Sequence, residues 1–152
     1  MIFCTLSMLL KTNKEKIKVN IEHIGIAVEN LEEAIEKFQK ICSDLHFHIE
    51  KSADGEMQIA FLKFDNVEIE LLEPLKKESV IGKFIQKKGE GIHHIALEVK
   101  NIGESMAKVK SANIRLINEK PKRGSNESLV AFLHPKDFNG VLVELCQRKK
   151  YE

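Results

Sequence analysis

The order of hydrophobic and polar residues divides the chain into two stretches with the same predicted elements. Each begins with an alternating run, IEHIGIAV over 21–28 and IHHIALEV over 92–99, whose β-branched residues favour a strand. An asparagine, Asn30 or Asn101, then stands in an N-cap position, with glutamate three residues later and apolar residues at helical spacing beyond it. We therefore predict a strand followed by a helix in each stretch. In the first stretch, further strands are predicted near 45–51, 56–64 and 67–73. In the second stretch, a helix over 101–112 is followed by predicted strands near 114–119, 128–134 and 140–146.

The two stretches are related as an internal repeat. His23 matches His94 at a spacing of 71 residues, and the tripeptide AFL recurs at the same spacing. The closing strands VEIELLEP and VLVELCQR also correspond, with Glu70 opposite Glu144 at a spacing of 74 residues. We interpret the chain as a βαβββ module present twice. The modules cover 20–74 and 91–147 and are joined by a connector over 75–90.

Charge and composition narrow the class of protein. Twenty-four Lys and Arg oppose 23 Asp and Glu, for a formal charge of +1, whereas nucleic-acid binding usually shows as a basic excess. Three cysteines cannot all pair, which argues against a disulfide scaffold and for a reducing compartment such as the cytoplasm. No apolar run reaches the roughly 18 to 20 residues that span a bilayer. We expect a single domain over 20–148 after an extension over 1–19, which is disordered or a weak targeting segment.

The leading strand of each module carries a histidine beside small residues. Side chains alternate across a strand, so His23, Gly25 and Ala27 share one face. In the second module, His94 shares a face with Ala96. The small residues leave room next to the imidazoles, and the aliphatic residues of the opposite face are expected to pack under the helix.

Two glutamates occupy matching places in the closing strands. Glu144 stands between apolar residues in VLVEL, and a buried carboxylate must be paired, hydrogen-bonded or metal-bound because burying it bare costs several kcal/mol. Glu70 is its repeat equivalent. Two histidines and two carboxylates at symmetry-related positions suit a divalent transition metal. The alternative interpretation is that the histidines are hydrogen-bonded core residues and the glutamates face solvent.

The remaining histidines lack this symmetric pairing. His93 is expected to point away from His94 and to be structural, because neighbouring side chains alternate. Cys146 shares a face with Glu144, and we predict a buried structural thiol there. Surface or turn positions are predicted for His46, His48 and His134.

Several segments resemble the vicinal-oxygen-chelate, or glyoxalase-like, superfamily, and within it the family of methylmalonyl-CoA epimerases. The resemblance covers about 20–147 and is carried by IEHIGIAVENLEEAIEKF, VEIELLEPLKKESVIGKFIQKKGEGIHHIALEV and AFLHPKDFNGVLVEL. It implies an α+β fold in which two βαβββ modules form an open, cup-shaped mixed sheet around a divalent metal. It also implies a homodimer and cobalt as the expected ion, with manganese, nickel or zinc as substitutes. The metal ligands it implies are His23, Glu70, His94 and Glu144.

The same resemblance implies an acyl-CoA substrate and an isomerase reaction. Such enzymes interconvert (2R)- and (2S)-methylmalonyl-CoA by metal-assisted removal of the proton at C2, which leaves an enolate. Glu144 and Glu70 would approach the substrate from different sides, and we predict them as the two bases, with Glu144 the stronger candidate. A further acid that serves as a base in some members falls near Gln58 and Ile59 here, so that role is not transferred. The compartment would be the cytoplasm, or the mitochondrial matrix in a eukaryote.

Other functions share much of this pattern. A glyoxalase I-like lactoylglutathione lyase uses the same kinds of ligand and a similar proton abstraction. A ring-cleaving dioxygenase is less consistent with the sequence, because such iron sites use two histidines and one carboxylate, and Glu70 would be a fourth ligand. A non-enzymatic binding protein of the same fold usually lacks the full ligand set.

Overall fold

The computed structural model describes residues 20–149. Within this part of the chain, a strand, a helix and further strands follow one another in each half, and the connector contains another helix. The predicted extension over 1–19 lies outside the described residues. The elements are β1 (Ile21–Ala27), α1 (Leu31–Ile41), β2 (His46–Lys51), β3 (Met57–Lys63), β4 (Glu68–Pro74), α2 (Val80–Lys88), β5 (Gly91–Glu98), α3 (Ile102–Ser111), β6 (Lys122–Arg123), β7 (Leu129–Leu133), a 3-10 turn (Pro135–Asp137) and β8 (Val143–Gln147).

The eight described strands form one mixed sheet in the order β2-β3-β4-β1-β5-β8-β7-β6. The leading strands β1 and β5 pair antiparallel at the centre. Each of them also pairs in parallel with the closing strand of its own half, β4 or β8. The halves are therefore related by an approximate twofold axis between β1 and β5. This arrangement confirms the predicted α+β fold of two tandem modules.

Helices α1 and α3 cover the outer face of the sheet in the same way. Leu31 and Ile35 of α1 are buried against β3 and β4, and Ile102 and Met106 of α3 are buried against β7 and β8. Burying each such side chain contributes about 1.5–3 kcal/mol, so these apolar layers hold both helices on the sheet. The buried residues of the two layers are Val28, Leu31, Ile35, Ala60, Leu62 and Leu71, and Ile102, Met106, Ala131, Leu133, Val143 and Leu145.

Both predicted helix N-caps form. The side chain of Asn30 accepts a hydrogen bond from the backbone N–H of Glu33 at 3.0 Å, and that of Asn101 accepts one from Glu104 at 3.1 Å. Each bond satisfies one of the N–H groups that have no partner inside the helix. These local bonds place the start of each helix directly after the strand that carries a site histidine.

The predicted strand over 114–119 is wrong. Leu116 forms a single β-bridge to β7. Two residues later, the side chain of Asn118 accepts the N–H of Phe132 at 2.8 Å in place of a backbone carbonyl, which interrupts the ladder. Pro121, which has no N–H to donate, follows, and the edge of the sheet is the two-residue strand β6.

The inner face of the sheet is concave. Lys51 of β2 and Lys122 of β6, at opposite edges of the sheet, line the same cavity, so the sheet curls into a cup. Helix α2 closes part of this face, where Ile81 is buried with Ile59 and Leu72. None of the described helices is long and apolar enough to cross a membrane.

Candidate metal centre

The cup encloses a cavity of about 500 Å³. The four residues singled out by the sequence repeat all line it. Each of them is buried, with no more than 6% of its surface exposed. The curled sheet thus brings together two histidines from β1 and β5 and two carboxylates from β4 and β8. These residues are His23, Glu70, His94 and Glu144.

Three of these side chains converge on one point. Nε2 of His23 lies 2.9 Å from Nε2 of His94. The carboxylate oxygens of Glu144 lie 3.4 Å from Nε2 of His94 and 3.9 Å from Nε2 of His23. Two donors bound to one ion by bonds of about 2.1 Å lie at most about 4.2 Å apart. All three separations satisfy this limit, so the three donors could share a single ion.

Glu70 lies on another side of His23. Its Oε1 is 3.7 Å from Nδ1, the ring nitrogen opposite the one that faces His94. A second group of possible ligands among the described residues combines His23 with Glu22 and Cys146. Burial raises the pKa of the Cys146 thiol, which opposes formation of the thiolate that a metal needs. The group around Nε2 of His23 is therefore the better metal site.

Small residues make room for the imidazoles. Gly25 of β1 pairs with His94 of β5. A Cβ atom added at Gly25 would lie only 2.2 Å from Cε1 of His94, so a larger residue would displace the ring. The equivalent residue in the second half, Ala96, is fully buried and pairs with His23. This agrees with the prediction that small residues leave space beside the histidines.

Two β-bulges interrupt side-chain alternation next to the histidines. The register between β1 and β5 shifts by one residue at two places, which leaves Glu22 and His93 as the extra, unpaired residues. Both side chains consequently line the cavity. The prediction that His93 points away from His94 is wrong, because alternation holds only in a strand without a bulge. Sequence reasoning missed Glu22, although both bulged residues directly precede a histidine of the repeat.

Each bulged residue contacts the histidine that follows it. The carboxylate of Glu22 accepts a hydrogen bond from Nδ1 of His23. In the second half, Nδ1 of His93 lies 2.9 Å from Nδ1 of His94. A carboxylate only accepts, so the proton of His23 is assigned to Nδ1, and Nε2 is left to act as a ligand.

Arg148, just after β8, binds two acidic residues, of which Glu22 lines the cavity. Its Nε donates to Glu22, and its Nη2 donates to Glu68 at 2.7 Å. The side chains of Glu22 and Glu68 are only 9% and 10% exposed, so these charge-assisted bonds stabilise buried carboxylates. Sequence reasoning missed Arg148, although it ends the repeated segment VLVELCQR, because its equivalent in the first half is Pro74.

Burial sets the protonation of the metal-free site. It raises the pKa of Glu70 to about 7 and that of Glu144 to about 8. It lowers the pKa of His94 far below the usual value. For His23, burial opposes the charged form, but the bond to Glu22 and the charges of both site carboxylates raise the pKa overall. The metal-free site therefore holds protons near neutral pH, which a bound metal would displace.

The donor set fits a divalent transition-metal ion. Imidazole nitrogens and a carboxylate are common ligands for such ions. With their protons on Nδ1, His23 and His94 would present two lone pairs to each other across 2.9 Å, a contact that a cation or a proton between them relieves. These ligand types accept several first-row ions and do not select one of them.

Strand β2 adds an acidic residue that sequence reasoning overlooked. Glu50 lines the cavity, and its side chain is 46% exposed. It pairs with Ile59, which in turn pairs with Leu72 on the inner face. A second acidic residue therefore lies on β2, the strand next to Gln58 and Ile59 of β3, where the sequence resemblance had placed such a residue. The positively charged residues that line the cavity near its edges are Lys51, Lys122 and Arg123.

The other residues considered from the sequence occupy the predicted environments. His134 caps the 3-10 turn, where its Nδ1 accepts from the N–H of Lys136 at 3.2 Å. His46 and His48 are exposed on β2, and His48 stacks on Phe61 with ring centroids 4.6 Å apart. Cys146 is buried, as predicted.

A family model described as the glyoxalase/bleomycin resistance protein/dioxygenase superfamily matches residues 22–132. The match covers well over half of the chain, and the curled sheet of two βαβββ modules is the fold that the resemblance implied. The chain belongs to this superfamily.

The curated relatives of this chain include named methylmalonyl-CoA epimerases. An ethylmalonyl-CoA/methylmalonyl-CoA epimerase of Cereibacter sphaeroides is 44% identical over 96 residues, covering 62% of this chain and 72% of that protein. The human mitochondrial methylmalonyl-CoA epimerase is 45% identical over 92 residues, or 60% of this chain, and the match spans 52% of the human protein. The uncharacterized protein YqjC of Bacillus subtilis is 35% identical over 112 residues, covering 74% of this chain and 80% of that one.

Solved structures show the same relationship. A hypothetical protein from Bacillus halodurans has a TM-score of 0.84 and 42% identity, covering 89% of this chain and 98% of that one. Methylmalonyl-CoA epimerase from Mycobacterium tuberculosis has a TM-score of 0.80 and 34% identity, covering 86% and 89%. A methylmalonyl-CoA epimerase in complex with methylmalonyl-CoA has a TM-score of 0.80 and 34% identity, covering 88% and 97%. The resemblance to this family is therefore confirmed in both sequence and structure.

Proposed function

We propose that the protein is a metal-dependent methylmalonyl-CoA epimerase, which interconverts the (2R) and (2S) forms of methylmalonyl-CoA. The observation that carries the proposal is the convergence of His23, His94 and Glu144 in the cavity of a chain whose relatives bear that name. These three residues would hold the ion. Glu70, buried beside His23, is proposed as the fourth ligand.

The chemistry of the substrate explains why such a site is needed. The proton at C2 lies between a thioester and a carboxylate, and its removal leaves an enolate whose charge must be stabilised. A divalent ion, when bound, supplies Lewis-acid stabilisation of this charge. Lys51, Lys122 and Arg123 offer positive charge for the phosphate groups of CoA.

Epimerisation removes a proton from one face of C2 and returns a proton to the other. We infer that Glu144 takes the proton as a carboxylate and becomes the neutral acid, while Glu70 donates a proton to the opposite face. Each carboxylate would leave the ion while it carries a proton. The reverse reaction exchanges these roles. The assignment is supported by the positions of the two residues on β8 and β4, on either side of the central strand pair.

Glu50 is a second candidate for the group opposite Glu144. It lines the same cavity and belongs to neither of the three-ligand groups found among the described residues. Its carboxylate, whose Oε1 lies 3.4 Å from Nε2 of His48, would therefore stay outside the proposed ligand set. Loss of epimerisation in Glu50→Gln, with full epimerisation in Glu70→Gln, would assign the role to Glu50.

We propose cobalt as the working ion, with manganese, nickel or zinc able to replace it, and a homodimer as the assembly. The proposed location is the cytoplasm, or the mitochondrial matrix in a eukaryote. The imidazole and carboxylate donors support a divalent transition ion in general. Rates measured with each ion in turn, and light scattering of the purified protein, test the ion and the assembly.

Deuterium exchange at C2 tests the reaction. Cobalt-loaded protein is incubated with one epimer of methylmalonyl-CoA in deuterated water, beside an EDTA-treated control, and the C2 proton is followed by NMR. We expect metal-dependent loss of the C2 proton signal together with loss of optical activity. Turnover of the methylglyoxal–glutathione adduct without C2 exchange would assign a lactoylglutathione lyase instead. Silence in both assays with metal bound would reject both activities.

A further inference from the structure

The outer nitrogen of His23 has a charged partner, and that partner is held firmly. Oε2 of Glu22 accepts the hydrogen bond from Nδ1 of His23, and Oε1 accepts a bond from Nε of Arg148. Both oxygens of Glu22 are thus engaged, and the carboxylate cannot turn away from His23 without also losing Arg148. Among the described residues, no carboxylate takes this place in the second half, where the bulged residue next to His94 is His93.

We propose that Glu22 is a positioning residue of the metal centre, whose carboxylate holds His23 in the tautomer and ring orientation that present Nε2 to the ion. The inference rests on the proposed metal-dependent function. A ligand imidazole that donates its other N–H to a carboxylate is more basic and better oriented. Nδ1 of His23 is bonded to Glu22 while Nε2 lies 2.9 Å from Nε2 of His94, so the ring joins the carboxylate to the donor set.

Arg148 connects this positioning contact to the other half of the molecule. It follows β8, the strand that carries Glu144, whereas Glu22 belongs to β1. Its second bond, to Glu68 of β4 at 2.7 Å, fixes the guanidinium between the two carboxylates. The carboxylate of Glu22, which orients His23, is therefore linked through Arg148 to both closing strands, β8 and β4.

Glu68 provides a matched control for Glu22. Both residues are glutamates, and both accept a hydrogen bond from Arg148. The side chain of Glu68 is 10% exposed and that of Glu22 is 9% exposed. Glu68 is the register partner of His23 in the pairing of β4 with β1, but no hydrogen bond or ion pair found among the described residues joins its side chain to the ring of His23. Glu68→Gln therefore weakens the Arg148 contact and leaves the partner of His23 in place.

The test compares Co2+ binding by the wild type, Glu22→Gln and Glu68→Gln. Affinity is measured by competition with a chromophoric chelator, and the visible absorption of bound Co2+ reports the ligand environment. We expect Glu22→Gln to weaken binding by roughly 10- to 100-fold and to change the spectrum, because glutamine keeps the shape but loses the charge. Glu68→Gln should bind Co2+ like the wild type. Circular dichroism of the metal-free proteins reports whether they fold, and Glu22→Asp, which keeps the charge, should recover part of the affinity.

Three outcomes would overturn the proposal. Equal affinity and an unchanged spectrum in Glu22→Gln would show that the carboxylate does not act on the ion. Equal weakening in Glu68→Gln would place the effect in the Arg148 contact. A wild type that binds no Co2+ would reject the proposed metal centre and this inference with it. Binding without C2 exchange would reject only the proposed reaction, because the affinity comparison does not depend on activity.

Discussion

The two halves of the molecule agree in the residues that build the sheet. Asn30 and Asn101 cap their helices with bonds of 3.0 and 3.1 Å. Ala60 and Ala131, at equivalent positions beneath the two outer helices, are both fully buried. These positions match because each half must bury the same kind of apolar layer between one helix and its strands.

The halves differ in the groups that surround the site. Glu22 precedes one histidine and His93 precedes the other, and Arg148 binds only the first of these. The edge strand has six residues in the first half and two in the second. The comparison shows that equivalent scaffold positions can carry chemically unequal side chains, provided that each ligand keeps a hydrogen-bonded partner.

The largest effect is expected at the two equivalent carboxylates. Glu144→Gln should lower C2 exchange by about 10³-fold and weaken Co2+ binding, because Glu144 is proposed as both base and ligand. Glu70→Gln should lower exchange while more of the Co2+ affinity remains, since Glu70 lies away from the three converging donors. NMR exchange rates and Co2+ titrations measure both effects. Equal losses in both variants would show that the halves are equivalent in chemistry as well as in fold.

The small residues should also behave unequally. Gly25→Ala places a Cβ where Cε1 of His94 would be 2.2 Å away, so we expect a destabilisation of about 1–3 kcal/mol and weaker Co2+ binding. The reverse change at the equivalent position, Ala96→Gly, adds no atom and should cost only about 0.5–1 kcal/mol. Urea unfolding gives both free energies. A stable Gly25→Ala variant with wild-type affinity would mean that the ring of His94 can move without loss.

A pH dependence of the metal-free protein should follow from the buried carboxyl groups. Burial raises the pKa of Glu144 to about 8 and that of Glu70 to about 7, from a usual value of 4.5. A carboxyl group with a raised pKa in the folded state stabilises the fold at low pH, and this contribution is lost as pH rises through that pKa. We expect the Tm of EDTA-treated protein to fall as pH rises from the usual carboxyl pKa of 4.5 to about 8, and to level off above it, where both carboxyl groups are ionised in the folded and the unfolded state. Calorimetry should show a flatter profile for Glu144→Gln, and an equally steep one would contradict the assignment.

The smallest effect is expected where the halves agree. Asn30→Ala and Asn101→Ala each remove one bond to the N–H of a glutamate at the helix start, so each should cost about 1 kcal/mol. The double variant should lose the sum, because the two caps lie at separate helices. Denaturant unfolding of the three variants measures this. A clear difference between the two single variants would show that the two halves differ in stability although their cap hydrogen bonds are alike.

Much of the fold could be predicted because its signals are local or repeated. Side-chain alternation located β1 and β5, and the asparagine caps located the starts of α1 and α3. The strand expected over 114–119 does not form, because the side chain of Asn118 takes the place of a backbone carbonyl opposite Phe132. Hydrophobic pattern alone does not show which hydrogen-bond acceptor an N–H will find.

The residues of the candidate site were likewise predictable only in part. The repeat by itself identified His23 and His94 with their partner carboxylates, since those residues stand at matching places in matching strands. Only the tertiary structure decided that Glu22 and His93 face the cavity, because a bulge depends on the register between two strands. It alone brought Arg148 to Glu22, 126 residues away in the chain, because such a contact follows from the curl of the whole sheet and from no pattern within a strand.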